Sequence, residues 1–193
     1  MESIEKMNNL GPFLVILGGL PGTGKTTLAR ELARHLKAVH LRIDTIETVI
    51  SNGIDMSGHD MRIGDETPKS FDLKDNGYKI AYAVARDNLR LGLPVIADSV
   101  NSIEITRSDW RFVAEELTLP FIEIEIICSD QSEHQKRIET RKNDIKGLNL
   151  PTWQDVQNRE YEPWACDMTV DTSQHSMGEC LHQIVDAILK KQT

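Results

Sequence analysis

The chain has 193 residues, 39% of them hydrophobic, and a formal net charge of −8. That length and apolar content fit one domain with a full core. The acidic balance speaks against long nucleic acid and anionic membrane surfaces as partners, yet leaves room for a small basic site. No apolar run approaches the ~18 residues of a membrane span. Cys128, Cys166 and Cys180 lie far apart without CxxC spacing and read as reduced thiols of a cytoplasmic protein. The six histidines show no metal-ligand spacing. Residues 1–11 are polar and lack a signal-peptide pattern, so a disordered leader is expected before a domain over 12–193.

In chain order, PFLVILG (12–18) reads as a buried strand, and GGLPGTGKTT (18–27) follows it. Leu28, Ala29, Leu32, Ala33 and Leu36 then recur at helical spacing. AVHLRID reads as a second strand ending at Asp44. Positions 46–77 are polar and glycine-rich, with weak periodicity. Tyr78, Ala81, Tyr82, Ala85 and Leu89 share a helical face that Gly92 stops. LPVIAD reads as a third strand ending at Asp98. The spacing of Trp110, Val113, Ala114 and Leu117 predicts a helix over 105–117. PFIEIEIIC is a fourth strand, followed by a helix over 132–142. Residues 147–164 read as irregular, and DMTVDTS as a short fifth strand. Met177, Cys180, Leu181, Ile184, Val185, Ile188 and Leu189 stripe a last helix, and Ser176 and Glu179 have capping-box spacing at its start.

Strands alternating with helices predict an α/β fold of three layers, a parallel sheet with helices on both faces. Ligands of such sheets bind beyond the carboxyl ends of the strands. Gly18, Asp44, Asp98, Cys128 and Asp171 therefore mark the edge to read for function.

Gly19-x-x-x-x-Gly24-Lys25-Thr26 fits the phosphate-loop pattern, with an apolar strand before it and an amphipathic helix after it. Glycines let the backbone curl so that successive N–H groups point inward, beside a helix N-terminus. Lys25 is placed to reach the β- and γ-phosphates, and the Thr26 hydroxyl to ligate Mg²⁺. Asp98 ends an apolar strand next to this loop and is a second Mg²⁺-side candidate; the alternative is an aspartate capping a turn. Asp44 ends the neighbouring strand. Transfer of a phosphoryl group to a hydroxyl profits from a carboxylate that orients the nucleophile and accepts its proton. DTIE (44–47) also has capping-box character, so base and cap stay open together.

Together these residues resemble the small P-loop kinases of the nucleoside monophosphate kinase type. The resemblance runs toward the zeta-toxin, chloramphenicol phosphotransferase, gluconate kinase and polynucleotide kinase groups. It is carried by GGLPGTGKTT, LRID, GYKIAYAVARDNLRLGLPVIAD and HQKRIETR, over most of 13–188. PTWQDVQNREYEPW is similar to bacterial proteins called AAA-family ATPases or predicted kinases, without the arginine-finger subdomain or helical lid of ring-forming machines. The resemblance implies a five-stranded parallel sheet in the order 2-3-1-4-5 and a P-loop kinase domain using ATP and Mg²⁺. It implies nucleotide contacts from Gly19, Pro21, Gly22, Thr23, Gly24, Lys25, Thr26 and Thr27. Asp44 matches the catalytic aspartate, Asp98 the magnesium-side aspartate, and Arg137 and Arg141 the lid arginines. The two arginines, four apart, are expected on one helix face, where they can clamp ATP and offset charge on the moving phosphoryl; a solvated basic face paired with Glu133 and Glu139 is the alternative. Asp171 and Thr172 resemble the loop near the adenine ring, or form a plain strand-to-helix turn.

The acceptor is expected to be a small hydroxylated molecule. Asn101, Arg107 and Arg111 are candidate substrate contacts, against the alternative that this helix only needs polar residues opposite Trp110 and Val113. Residues 51–77, with His59, Asp60, Arg62, Asp65, Glu66 and Lys69, are expected to cover the acceptor side, and 142–164 to form the lid. Arg159 is a further candidate phosphate contact, and Trp153 and Trp164 are read as hinge packing or adenine contacts. A monomer or homodimer is expected. A nucleotide-dependent switch without a small acceptor and a nucleic-acid end kinase remain alternatives.

Overall fold

The computed structural model describes residues 11–57 and 73–191. Five strands, β1 (Leu14–Gly18), β2 (Val39–Arg42), β3 (Val95–Asp98), β4 (Phe121–Ile127) and β5 (Met168–Asp171), form one sheet in the order β2-β3-β1-β4-β5. Every pairing is parallel, the order and sense expected. Around it run α1 (Lys25–Leu36), α2 (Ile43–Ser57), α3 (Leu73–Arg90), α4 (Glu104–Glu115), α5 (Gln131–Thr140), α6 (Trp153–Gln157) and α7 (Met177–Lys191). All five residues of β1 are buried, which is why LVILG is a continuous apolar run: both faces of a central strand meet helices.

The alternation of β1 divides the core. Val15 and Leu17 join Leu28, Leu32, Ile184 and Ile188 of α1 and α7. Leu14 and Ile16 join Ala81, Ala85, Leu89 and Trp110 of α3 and α4. Trp110 meets Tyr82 edge-on at 4.6 Å and 87°, an arrangement aromatic rings favour. In β4, Ile122, Ile124 and Ile126 face the α1–α7 core. Glu123, pointing the other way, is buried and ion-paired with Arg111 at 2.8 Å.

The element boundaries correct several expectations. β2 stops at Arg42, and α2 starts at Ile43, so Asp44 lies in the first helical turn and not at a strand end. The helix-starting character of DTIE claims these residues before the strand can reach them. The α5 helix ends at Thr140, and Arg141 turns to extended backbone at ψ 126°; Arg137 and Arg141 therefore do not share a helix face. The stretch 51–77, read as weakly periodic, is helical at both ends, through Ser57 and from Leu73. Its middle, 58–72, lies outside the described residues, as does most of the expected leader. The irregular 147–164 stretch contains the short α6, started by a reciprocal capping box between Thr152 and Asp155. At α7 the expected capping box is present: the Ser176 N–H donates to Glu179 Oε2 at 2.8 Å and the Glu179 N–H to Ser176 Oγ at 3.4 Å. Among the described residues no helix is long and apolar enough to cross a membrane.

Candidate active site

Gly24, at φ 96° and ψ 0°, turns the chain from β1 into α1 without a side-chain cap. The first-turn N–H groups of α1 are left for an external anion. Gly19 sits at φ 131°, where a β-carbon would meet the Ile126 carbonyl oxygen at 2.1 Å; only glycine fits. The Thr23 hydroxyl donates to Leu20 O at 2.9 Å, and Lys25 Nζ donates to the same oxygen at 3.4 Å. Three outside elements brace the loop. His134 Nε2–H of α5 donates to Pro21 O at 2.7 Å, and the Thr172 hydroxyl donates to Thr23 O at 2.6 Å. The Gly19 N–H donates to Val100 O at 3.0 Å.

Lys25 is 7% exposed. Burial lowers its ammonium from the ordinary value; Asp98 and Asp44 pull it back up, and Arg141 and Arg159 push it down again. Five charged groups from separate segments thus converge on the end of the loop. Asp98 is 2% exposed. Burial alone would raise its carboxyl, but it lies below the ordinary value because His40, Lys25 and Thr26 favour the anion. An ionised carboxylate only accepts, so His40 Nε2 carries the proton of the 3.0 Å bond to Asp98 Oδ2. A buried anionic oxygen beside the Thr26 hydroxyl is the donor chemistry that suits Mg²⁺, a hard cation held by one or two protein oxygens plus phosphates and water.

Over the loop opens a cavity of about 920 Å³. Pro21, Gly22, Gly24, Lys25, Thr26 and Thr27 line it, and so do Asp44, Arg137, Arg141 and Thr172. It also takes in Glu47 and Arg159. Gly19 and Thr23 lie beneath, toward a smaller hollow with Glu125 and Tyr161.

Glu47 follows Asp44 by one turn of α2. Burial, and then the charge of Asp44, raise its carboxyl to about 7, against a smaller pull from Arg159. Gly77 of α3 passes so close that a β-carbon there would meet Glu47 Cγ at 2.4 Å. A carboxyl whose pKa rises on folding contributes stability that is full below its unfolded value and is lost as pH rises through the folded value. The wild-type chain should therefore lose stability relative to Glu47→Gln between about pH 4.5 and pH 7. Urea midpoints of both proteins at pH 4 and pH 8 test this: the variant must gain on the wild type at the higher pH.

Not every expected residue reaches the cavity. Arg107 is fully buried. Its Nε donates to Asn101 O at 2.8 Å, Nη1 to Pro163 O at 2.9 Å and Nη2 to Glu162 O at 2.8 Å. Its guanidinium also stacks over Tyr161 and Trp164 at 5.2 and 4.9 Å. Each nitrogen of Arg107 is thus engaged in fixing Asn101 and the strap 161–164, and the buried side chain does not line the cavity. Arg111 is held by Glu104 and Glu123. Asn101, at φ 48° and fully buried, donates from Nδ2 to Leu17 O at 2.8 Å and ties β3 to β1. The helix-face spacing of the two arginines is real; the face points into the molecule. Asp171 Oδ1 accepts from the backbone N–H groups of Ser129 and Ser173, the turn arrangement, and lies off the cavity walls. Arg137 meets Glu133 at 3.0 Å and also donates to the Thr172 hydroxyl at 2.7 Å. It therefore braces the loop through Thr172 as well as facing the cavity. Trp164 lies against Gly18, and Trp153 stacks edge-on to His134 at 5.2 Å.

His40, His134 and Glu162 were not singled out by sequence, and Glu47 only as the end of the DTIE capping motif. Glu162 Oε2 accepts from the Glu104 N–H at the start of α4. A histidine whose partner lies 58 or 113 residues away gives no local signal.

The strand order, the glycine loop entering α1 and the lysine between carboxylates define the class: a P-loop phosphotransferase of the small kinase group. The chain belongs to the AAA domain family, whose model matches residues 14–163. Over almost its full length it is similar to adenylyl-sulfate kinases. It is 27% identical over 196 residues to that of Myxococcus xanthus, covering 96% of this chain and 95% of the relative. To that of Bacillus licheniformis it is 25% identical over 181 residues, covering 93% and 86%. Solved structures share the fold. The adenylyl-sulfate (APS) kinase of Mycobacterium tuberculosis in complex with AMPPNP and APS superposes with a TM-score of 0.63 at 16% identity, covering 92% of this chain and 98% of that one. A gluconokinase from Sinorhizobium meliloti does so with 0.59 at 14%, covering 93% of each.

Proposed function

We propose that this chain transfers the γ-phosphoryl group of ATP to a hydroxyl of a small acceptor, with Asp44 as the proton acceptor. The observation that carries the reading is the shared cavity: Asp44 opens into the same space as the phosphate loop and is close enough for its charge to act on Lys25. In the reaction the acceptor oxygen forms a bond to the γ-phosphorus and the bond from that phosphorus to the β–γ bridging oxygen breaks. The hydroxyl proton passes to the Asp44 carboxylate, and ADP leaves.

The loop amides and Lys25 hold the β- and γ-phosphates. Arg141 and Arg159, facing Lys25 from the expected lid, offset charge on the moving phosphoryl. Thr26 and Asp98 would hold Mg²⁺, which supplies charge neutralisation between the β- and γ-phosphates when bound. The 142–164 segment excludes water, so that transfer outruns hydrolysis.

The names of the relatives make adenylyl sulfate the first acceptor to try, followed by gluconate-like polyols and other hydroxylated metabolites. Purified protein with Mg²⁺ and ATP should be nearly idle alone and should turn over ATP once an acceptor is supplied, with the phosphorylated product seen by ³¹P NMR. Sustained hydrolysis that no acceptor stimulates overturns the reading in favour of a nucleotide-driven switch.

A further inference from the structure

Arg42 closes β2 two residues before Asp44 and is 6% exposed. A guanidinium in that position is costly unless it is paired and hydrogen-bonded. Its Nη1 donates to Asp144 Oδ2 at 2.9 Å. Asp144 belongs to the segment between α5 and α6 and is also paired with Arg30 of α1. Both arginines hold its carboxyl well below the usual carboxylate range, against burial. The other edge of the Arg42 guanidinium, Nε and Nη2, is buried and has no hydrogen-bond partner. That edge is the fork that grips a carboxylate with two parallel bonds. The carboxylate beside it is Asp44, whose Oδ2 lies 3.6 Å from Nη2.

We propose that Arg42 is a positioning residue for Asp44, shared between that base and Asp144 of the lid; the inference rests on the reading of Asp44 as proton acceptor. Turning Oδ2 toward the guanidinium leaves Oδ1 for the acceptor hydroxyl. The chain Asp144–Arg42–Asp44 also joins the lid segment to the base through one cation. An arginine that merely filled space at the end of β2 would not leave one edge open toward a carboxylate of the cavity. Lysine would serve only in part, because an ammonium is a point charge without a fork.

The test combines kinetics with a spectroscopic readout. Arg42→Gln should lower kcat for phosphoryl transfer by about tenfold or more while the Kd for ATP stays within about threefold. Arg42→Lys should recover part of the loss. In an Asp44→Asn background, Arg42→Gln should add almost nothing, since residues acting as a unit are not additive. Losses that add in full, or a kcat that holds while only the melting temperature falls, overturn the proposal. Independently of any acceptor, the ¹⁵Nε–¹Hε signal of Arg42, identified by its absence in Arg42→Lys, should shift in both Asp44→Asn and Asp144→Asn. A signal unmoved by Asp44→Asn sinks the inference even if no acceptor is found. A wild-type protein that phosphorylates nothing, with the signal shifting as expected, sinks the kinase reading instead.

Discussion

Asp44→Asn is expected to bind Mg-ATP as the wild type does and to lose phosphoryl transfer by about 10²–10⁴-fold, the usual worth of a positioned general base. The exchange is nearly isosteric. The Asp44 side chain is 41% exposed, so the fold does not depend on its charge. The turn it begins is secured through its backbone, whose carbonyl accepts from the Thr48 hydroxyl at 2.6 Å. What asparagine removes is the ability to take a proton. Calorimetric titration with Mg-ATP and single-turnover transfer measured on the same preparation separate the two effects. Transfer within about threefold of wild type would leave Asp44 as a helix-starting residue only.

The second large effect concerns stability. Arg107→Met should keep most of the buried stem while removing all three donors to Asn101, Glu162 and Pro163. Each abandoned carbonyl then carries a desolvation cost of about 1–3 kcal/mol, with partial relief as the site relaxes. Three such carbonyls put the expected loss at about 3 kcal/mol or more. Urea unfolding should show that drop in unfolding free energy, and limited proteolysis should cut near 158–164, which the wild type protects. A loss below about 1 kcal/mol would mean that the strap is held mainly by Tyr161 and Trp164 rather than by the guanidinium.

The architecture was legible because it is written in local periods. LVILG, VIAD and FIEIEII are strands between helices whose apolar stripes recur every three or four residues, which implies a parallel sheet; its strand order came from the family resemblance. The phosphate loop was legible because phosphate binding there depends on backbone, and backbone conformation leaves a glycine signature. The acceptor side was not. Arg107 and Arg111 show the spacing that an anion clamp would need. Their direction was decided by Glu123, which β4 points to the same side of the sheet, and by a strap more than fifty residues downstream. Arg42 read as the tail of a strand, since nothing nearby announces that Asp144 will come to meet it. A boundary shift of two residues at β2 was equally hidden, because DTIE fits a helix start and a strand-end aspartate with the same letters.

The bonds made by Arg107 end on main-chain oxygens, which every amino acid supplies. Those carbonyls would survive a change of side chain at Pro163, while Tyr161 and Trp164 also carry the rings under the guanidinium and Glu162 the carboxylate that starts α4. Length is another matter. One inserted or deleted residue between Tyr161 and Trp164 would slide the oxygens out of step with a rigid fork. Across descendants of this chain, gaps should stay rare here and positions 161 and 164 should remain aromatic.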